Sequence, residues 1–323
     1  MKWPRPLKSL AHRMARVVVR EVVKEQQPML LGIERQVQAN ALNISDIQRS
    51  LEGLSGSISD LSCSLSELQG CVNSLAGGVV ELGGDRAELY GLTFRLDNPH
   101  IATSLKSRFL FNTYEAGALA LLDNHLSPDL PVVEFGACIG VASCLANRKL
   151  HHPEKHVVVE AHPALIPTLQ QNRDLNNCRF NIVHAALAYG CDRVEFWLHP
   201  TFFVGSSTKA RSGSEPVTVD AVTLQSILNR FSFDRISLIV DVEGAEVELV
   251  QRELPILKQH VVTLMMEVHR RDWAAGRQAI KEMLTTLKDN GFVVVGRVGN
   301  DIVFSNQSLT SCDQEKAVSM ETS

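Results

Sequence analysis

The chain has 323 residues, 45% of them apolar and 21% charged, with a formal net charge of −4. That length suits two domains, and that composition excludes a wholly disordered, collagen-like or disulfide-stapled chain. No run approaches the roughly 18 apolar residues of a membrane span, and the acidic balance excludes a general nucleic-acid binder.

The acidic average hides a basic start. Lys2, Arg5, Lys8, Arg13, Arg16, Arg20 and Lys24 stand against Glu21 alone. Leu7, Leu10, Ala11, Met14, Val17, Val18 and Val22 recur at helical spacing, with most of the cations off that stripe. Such a helix over residues 7–24 either rests on an anionic membrane surface or packs its stripe on the protein and solvates its charges. Nucleic acid is the least favoured of its partners. The start lacks an apolar signal region and a cleavage site. The seven cysteines form no C-x-x-C pair, and no histidines cluster, so a zinc site or disulfide frame is not expected. The expected location is cytoplasmic, with peripheral contact at the inner face of a membrane as an option.

Pro28 closes this first segment, residues 1–28, and a seven-residue repeat begins. Leu30, Val37, Ile44, Leu51, Ile58, Leu65, Val72 and Val79 occupy one position of it. Ile33, Asn40, Ile47, Leu54, Leu61, Leu68, Leu75 and Leu82 occupy the position three residues later. The unbroken 3-4 spacing predicts a coiled coil over residues 29–85, roughly 80 Å long at about 1.5 Å per residue. The seam predicts self-association, as dimer or trimer. Asn40 either fixes register or is a tolerated defect. Gly56, Gly70, Gly77 and Gly84 recur on the outer face, where each costs about 1 kcal/mol of helix stability. Gly83-Gly84 and Asp85 mark the expected end.

Residues 86–306 have a different texture. Leu130–Phe135, His156–Glu160, Phe180–Ala185, Ile236–Val242, Val261–Val268, Phe292–Arg297 and Asp301–Ser305 read as strands. Ala142–Leu150, Ala164–Asn176, Ala245–Arg252 and Ala274–Asn290 read as helices between them. The alternation implies an α/β fold, a mostly parallel sheet covered on both faces, with the last two strands as an antiparallel hairpin at one edge. Residues 307–323 are polar and read as a loose tail. A fragment beginning near residue 91 keeps every segment of the expected crevice.

Open α/β sheets bind ligands beyond the carboxyl ends of their strands, where the strand order reverses. Five segments place polar or glycine residues there. In V-V-E-F-G-A-C-I-G, Glu134 ends a strand and Gly136 and Gly140 bracket a tight turn that opens a helix. Glycine lets a ligand approach the backbone, and a carboxylate at Glu134 suits a cationic ligand end. In V-V-V-E-A-H-P, Glu160 is placed to accept the hydroxyls of a ribose. The remaining three are I-V-H-A-A-L-A-Y-G at 182–190, S-L-I-V-D-V-E-G-A-E at 237–246 and M-E-V-H at 266–269, and F-N-T-Y-E at 111–115 stands ahead of all five.

Together these segments resemble the FkbM family of class I S-adenosylmethionine-dependent methyltransferases, over about residues 105–305. The resemblance implies a Rossmann-like sheet, S-adenosyl-L-methionine as cofactor, and a cofactor site including Glu134, Gly136, Gly140, Glu160, Ala161, Ala185 and Asp241. Two positions depart from the pattern. Ile239 stands where the family often has lysine, and Ala161 where it often has proline.

The resemblance further implies methyl transfer to oxygen, and the signature's residues can be read for that chemistry. Asp241 ends an apolar strand and Glu243 follows at the turn. Glu267 and His269 end a neighbouring strand, two residues apart, so both can point to one side. The reaction must position donor and acceptor and remove a hydroxyl proton. His269, with an ordinary pKa near 6.5, is the first choice of base and Asp241 the second. The same residues could instead hold a divalent metal, which is not the favoured option. Glu246 is either functional or simply a negative charge suited to a helix start. Phe202, Phe203 and Lys209, near Gly205, belong to a lid over the crevice or to an ordinary connection. His184 and His151, His152 and His156 read as structural. The expected function is O-methylation of a sugar, glycan or similar polyhydroxylated small molecule. The competing one is a coiled-coil scaffold whose methyltransferase-like domain is inactive, and a dehydrogenase ranks third.

Overall fold

The computed structural model describes residues 44–198, 214–269 and 276–310. The basic segment 7–24, Asn40, the 199–213 connection and the residues beyond 310 lie outside the described residues. Two compact units divide the chain, one ending at Leu68 and one beginning at Gln69.

Helix α1 (Ile44–Leu82) follows from the heptad pattern. It stops where expected: Gly84 has φ +84°, and the amides of Gly83, Gly84 and Asp85 bond back to Val79, Glu81 and Val80. The seam is exposed in this single chain, from Val72 at 46% to Leu82 at 92%. In the second unit the opposite side of the helix is covered, through Ala76, Gly77 and Val80. A Cβ at Gly77 would lie 1.8 Å from the carbonyl oxygen of Thr103, so this outer-face glycine is required by a backbone approach.

A hairpin follows, β1 (Arg86–Leu89) with β2 (Leu92–Arg95). Tyr90 and Gly91 both take positive φ, as a two-residue hairpin loop demands. Helices α2 (Thr103–Leu110) and α3 (Ala116–His125) come next. The Lys106 ammonium, almost fully buried, pairs with Glu81 at 2.9 Å and Asp85 at 2.7 Å and fixes α2 to the end of α1. The apolar core therefore reaches back to Val80 and Leu89. A fragment cut at residue 91 loses both residues and half the hairpin. Its apparent melting temperature should fall well below that of a fragment beginning near residue 69, as read by circular dichroism. Equal melting curves would show that the hairpin contributes nothing to the domain.

The expected alternation is present. In chain order it runs β3 (Val132–Phe135), α4 (Val141–Lys149), β4 (His156–Glu160), α5 (Ile166–Leu175), β5 (Asn181–His184) and the short β6 (Ala186–Leu187). There follow β7 (Arg193–Leu198), β8 (Glu215–Val222), α6 (Leu224–Phe231), β9 (Ile236–Val240) and α7 (Glu246–His260). The last elements are β10 (Val261–Glu267), α8 (Gly276–Asp289), β11 (Phe292–Val298) and β12 (Asp301–Asn306). The main sheet has the order β11-β12-β10-β9-β3-β4-β5. Five strands are parallel, and β11–β12 is the antiparallel hairpin at one edge. Strands β3, β4 and β9 are buried along their whole length, which is why their sequences are mostly apolar, with Glu134, His156, Glu160 and Ser237 the polar exceptions.

Two findings differ from the sequence expectation. Helix α7 continues past Arg252, but with a non-helical Glu253 inside it; the carboxylate of Glu253 leaves the helix register to cap α6, accepting from the amides of Leu224 (2.8 Å) and Gln225 (2.7 Å). The tail does not begin loosely: residues 307–310 are helical, and the Leu309 carbonyl accepts from Arg235 at 2.8 Å. Among the described residues no helix is long and apolar enough to cross a membrane.

Candidate active site

The strand order reverses between β3 and β9, so the turns that follow them face each other. They meet in backbone contact. Gly136 has φ +86°, and a Cβ there would lie 1.7 Å from the Asp241 carbonyl oxygen. The Asp241 amide donates to Phe135 at 2.8 Å and the Gly136 amide to Val159 at 2.9 Å, joining three strand ends.

A cavity of about 860 Å³ opens over this junction. One half is mostly apolar, walled by Phe135, Val159, Ala161, Leu165, Ala185 and Phe196, with Glu160 and His162. The other half holds Glu115, Asp241, Glu243, Glu267 and His269. An adjoining cavity of about 690 Å³ shares Glu115, Asp241 and Glu267 and reaches Glu134, Ile239 and Asp301. Of the residues expected from sequence, Gly136, Glu160, Ala161, Ala185, Asp241, Glu243, Glu267 and His269 line the first cavity.

Gly140 and Glu134 do not. Gly140 is the left-handed cap of α4, where a Cβ would meet Leu169 at 2.5 Å, so its glycine serves helix packing. Glu134, expected to meet a cationic ligand end, is 1% exposed and lines only the adjoining cavity. It accepts from Ser143 at 2.9 Å and sits 3.1 Å from the buried ring of His156. That pairing also places His156, which begins β4 as expected.

Glu160 has a double task. Its carboxylate accepts from the amides of Ala137 (3.0 Å) and Cys138 (2.7 Å) through one oxygen, and from His162 (2.6 Å) through the other. Burial pushes its pKa up, and those amide donors oppose the rise. It thereby fixes the glycine turn in addition to facing the cavity. His162, absent from the sequence expectation, is 1% exposed and neither ring nitrogen has a protein partner. Desolvation, helped by nearby His100, lowers its pKa to about 4, so the ring is neutral. Its signal in the sequence is its place two residues after Glu160.

His269 is not the free imidazole base that its ordinary pKa suggested. Burial alone would lower its pKa, but a hydrogen bond with Glu246 and the charges of Asp241 and Glu243 outweigh that and raise it to about 10. Its Nδ1 lies 2.7 Å from Glu246, which is 1% exposed and also accepts from the Gly244 amide at 3.0 Å. Glu246 thus bonds His269 as well as standing at the start of a helix. The Asp241 carboxyl is pushed well up, first by desolvation and then by Glu267, with His269 opposing.

Glu115 was also missed as a site residue. It caps α3 with a left-handed φ of +43° and lines both cavities. Its side chain is exposed to solvent where it lines the crevice. Desolvation there raises its pKa to about 7, with Glu267, Asp301 and Glu134 adding to the rise and Tyr114 opposing it. Only its place at the end of F-N-T-Y-E marked it in the sequence. Phe202, Phe203 and Lys209 lie outside the described residues.

A parallel sheet of this order, with a glycine turn facing an acid-tipped neighbouring strand, defines a Rossmann-like methyltransferase. Residues 134–294 match the profile of the methyltransferase FkbM domain, and the chain belongs to that family of S-adenosylmethionine-dependent enzymes. Among solved structures, a ribosomal protein L11 methylase from Lactobacillus delbrueckii subsp. bulgaricus is similar at 12% identity and a TM-score of 0.36, over 60% of this chain and 77% of that one. An O-methyltransferase from Bacillus cereus in complex with SAH is similar at 10% identity and a TM-score of 0.37, over 59% and 81%. No curated protein matches the chain.

Proposed function

We propose that the protein transfers a methyl group from S-adenosylmethionine to a hydroxyl of a sugar, glycan or similar polyhydroxylated acceptor. The observation that carries this reading is the two-part crevice, an apolar half with Glu160 and the unpartnered ring of His162 beside a carboxylate-rich half. The cofactor fits the first half: a close glycine turn, small Ala161 and Ala185, a carboxylate for ribose hydroxyls, and neutral ring nitrogens for a purine edge. Bound there, it supplies a methyl carbon made electrophilic by its sulfonium.

The second half supports a hydroxylated acceptor. Its walls hold Glu115, Asp241, Glu243 and Glu267, and no lysine or arginine lines either cavity among the described residues. Sugar hydroxyls donate to carboxylates, whereas a phosphorylated acceptor meets like charge. A neutral glycan is therefore favoured over a nucleotide sugar. Mass measurement of methyl transfer to both acceptor types is the direct test; transfer to nucleotide sugars alone sinks the neutral-acceptor reading. Glu160→Ala should weaken cofactor binding by about 1–3 kcal/mol in calorimetry. Unchanged affinity removes Glu160 from the ribose site.

Glu115 is the group we assign to take the hydroxyl proton, in place of His269. A general base works best with a pKa near the operating pH, and only its deprotonated form can accept. The methylation rate should therefore rise as pH increases through about 7, the value at which Glu115 loses its proton. Glu115→Gln should abolish that limb and lower turnover by about 10²–10⁴. A rate profile unchanged by this substitution assigns the proton elsewhere.

The exposed aliphatic seam of α1 supports self-association. Light scattering on the full chain should give a dimer or trimer at micromolar concentration. Leu61→Asp with Leu68→Asp should return it to monomer without altering cofactor affinity. A monomeric parent chain removes the coiled coil.

A further inference from the structure

We propose that Asp241, Glu267 and His269 form a binding site for a divalent cation of the Mg²⁺ or Mn²⁺ type. The site lies in the crevice of the proposed methyl transfer and deepens that reading. One ligand atom from each of the three residues can be chosen so that all lie within 4.8 Å of one another.

The geometry around His269 is the second observation. Its Nδ1 is held at 2.7 Å by the buried Glu246, which fixes the ring and leaves Nε2 as the atom facing the crevice. Nε2 stands 3.6 Å from Asp241, 3.5 Å from Glu243 and 3.6 Å from Glu267. These separations exceed the usual hydrogen-bond range of roughly 2.7–3.2 Å. They approach the edge of a coordination polyhedron: ligands about 2.1 Å from one ion sit about 3.0–3.4 Å apart. A carboxylate on the far nitrogen of a ligating imidazole is the usual support for such a ring, and the ion takes the place of the Nε2 proton, which is released to solvent. Two carboxylates with one imidazole suit a hard or borderline cation, which also takes water and a substrate oxygen.

The charge count agrees. Glu115, Glu134, Glu160, Asp241, Glu243, Glu267 and Asp301 line the two cavities, and against them stand only His269 and the neutral His162, with no lysine or arginine, among the described lining residues. A divalent ion offsets part of that excess and attracts the acceptor hydroxyl, lowering its pKa. The O–H proton passes to Glu115, and an oxygen lone pair forms the new bond to the methyl carbon. The carbon–sulfur bond breaks, its electron pair stays on sulfur, and the sulfonium becomes a neutral thioether. Nothing is oxidised or reduced.

The test is titration of the full-length protein with Mn²⁺, followed by loss of the electron paramagnetic resonance signal of free aqueous Mn²⁺. About one ion per chain should bind below millimolar concentration, and Mg²⁺ should compete. Glu267→Gln should weaken binding at least tenfold while cofactor affinity, measured by calorimetry, and the melting curve stay near wild type; His269→Gln should weaken binding as much, with a lower melting temperature because Glu246 loses its buried partner. Wild-type protein that binds no Mn²⁺ below millimolar overturns the site, as does undiminished binding by both variants. Cofactor binding and methyl transfer without Mn²⁺ binding discard the cation and keep the methyltransferase reading. Mn²⁺ binding without transfer to any hydroxylated acceptor keeps the cation and discards that acceptor class.

Discussion

Gly136→Val is expected to abolish measurable cofactor binding and to lower the melting temperature. The turn after β3 and the turn after β9 touch through backbone at this residue, with 1.7 Å available where a Cβ would stand. The positive φ adds about 1–2 kcal/mol for any residue other than glycine, and forcing extra atoms into a packed site adds about 1–3 kcal/mol. The sum of roughly 3 kcal/mol corresponds to at least about a 100-fold loss of affinity if it falls on the cofactor site. If it falls on the fold instead, the same amount corresponds to a drop of about 6–12 °C. Calorimetry and thermal melting together separate the two. A variant matching the parent in both would mean that the turns part at no cost, and the crevice would need a different architecture.

Glu246→Ala is the second large effect. The substitution leaves the Gly244 amide without its acceptor and His269 without its closest carboxylate, both at a nearly buried position. Removing one member of a buried pair costs about 3–5 kcal/mol. The raised pKa of His269 sets the pH window. A histidine whose folded pKa exceeds its unfolded value of about 6.5 adds stability that is complete below that value and lost as pH rises through the folded pKa. With His269 at about 10, the parent keeps most of this contribution at neutral pH and loses it toward pH 10. In Glu246→Ala the His269 titration, followed by NMR, should move down toward the ordinary range. Glu246→Gln should recover part of the stability, because its carbonyl oxygen can still accept from Gly244. A His269 titration identical in parent and Glu246→Ala would remove Glu246 as the positioning residue.

The central strands were legible because burial on both faces makes them largely apolar runs, as in Ile236–Val240, where Ser237 is the one polar residue. The crevice residues at strand ends were legible for the same reason, since a carboxylate such as Asp241 stands out at the end of such a run. The β1–β2 hairpin was not, because four-residue strands carry too little alternation to notice. Glu115 and His162 were missed for a different cause. Each sits in irregular backbone, where no periodicity says which way a side chain turns. Glu134 and Gly140 show the converse: residue type and spacing matched a ligand site, but the side chain of one and the packing of the other belong to the helix behind it. The seam of α1 was plain from its heptads, whereas the need for glycine at 77 depends on a contact with Thr103, 26 positions later in the sequence.

The contact at Gly77 has a consequence for how this chain can change over generations. Ala76, Gly77 and Val80 are committed to the catalytic unit, while Val72, Leu75, Val79 and Leu82 remain uncovered on another side of the same turns. A gene encoding this helix can therefore gain or lose whole heptads upstream of residue 69 and leave the docked side unaltered. Each such heptad turns an ideal helix by only about 20° relative to its seam, whereas a single-residue insertion turns it by about 100°. Length upstream of the domain is thus free to drift in steps of seven, and the register at the catalytic unit is not.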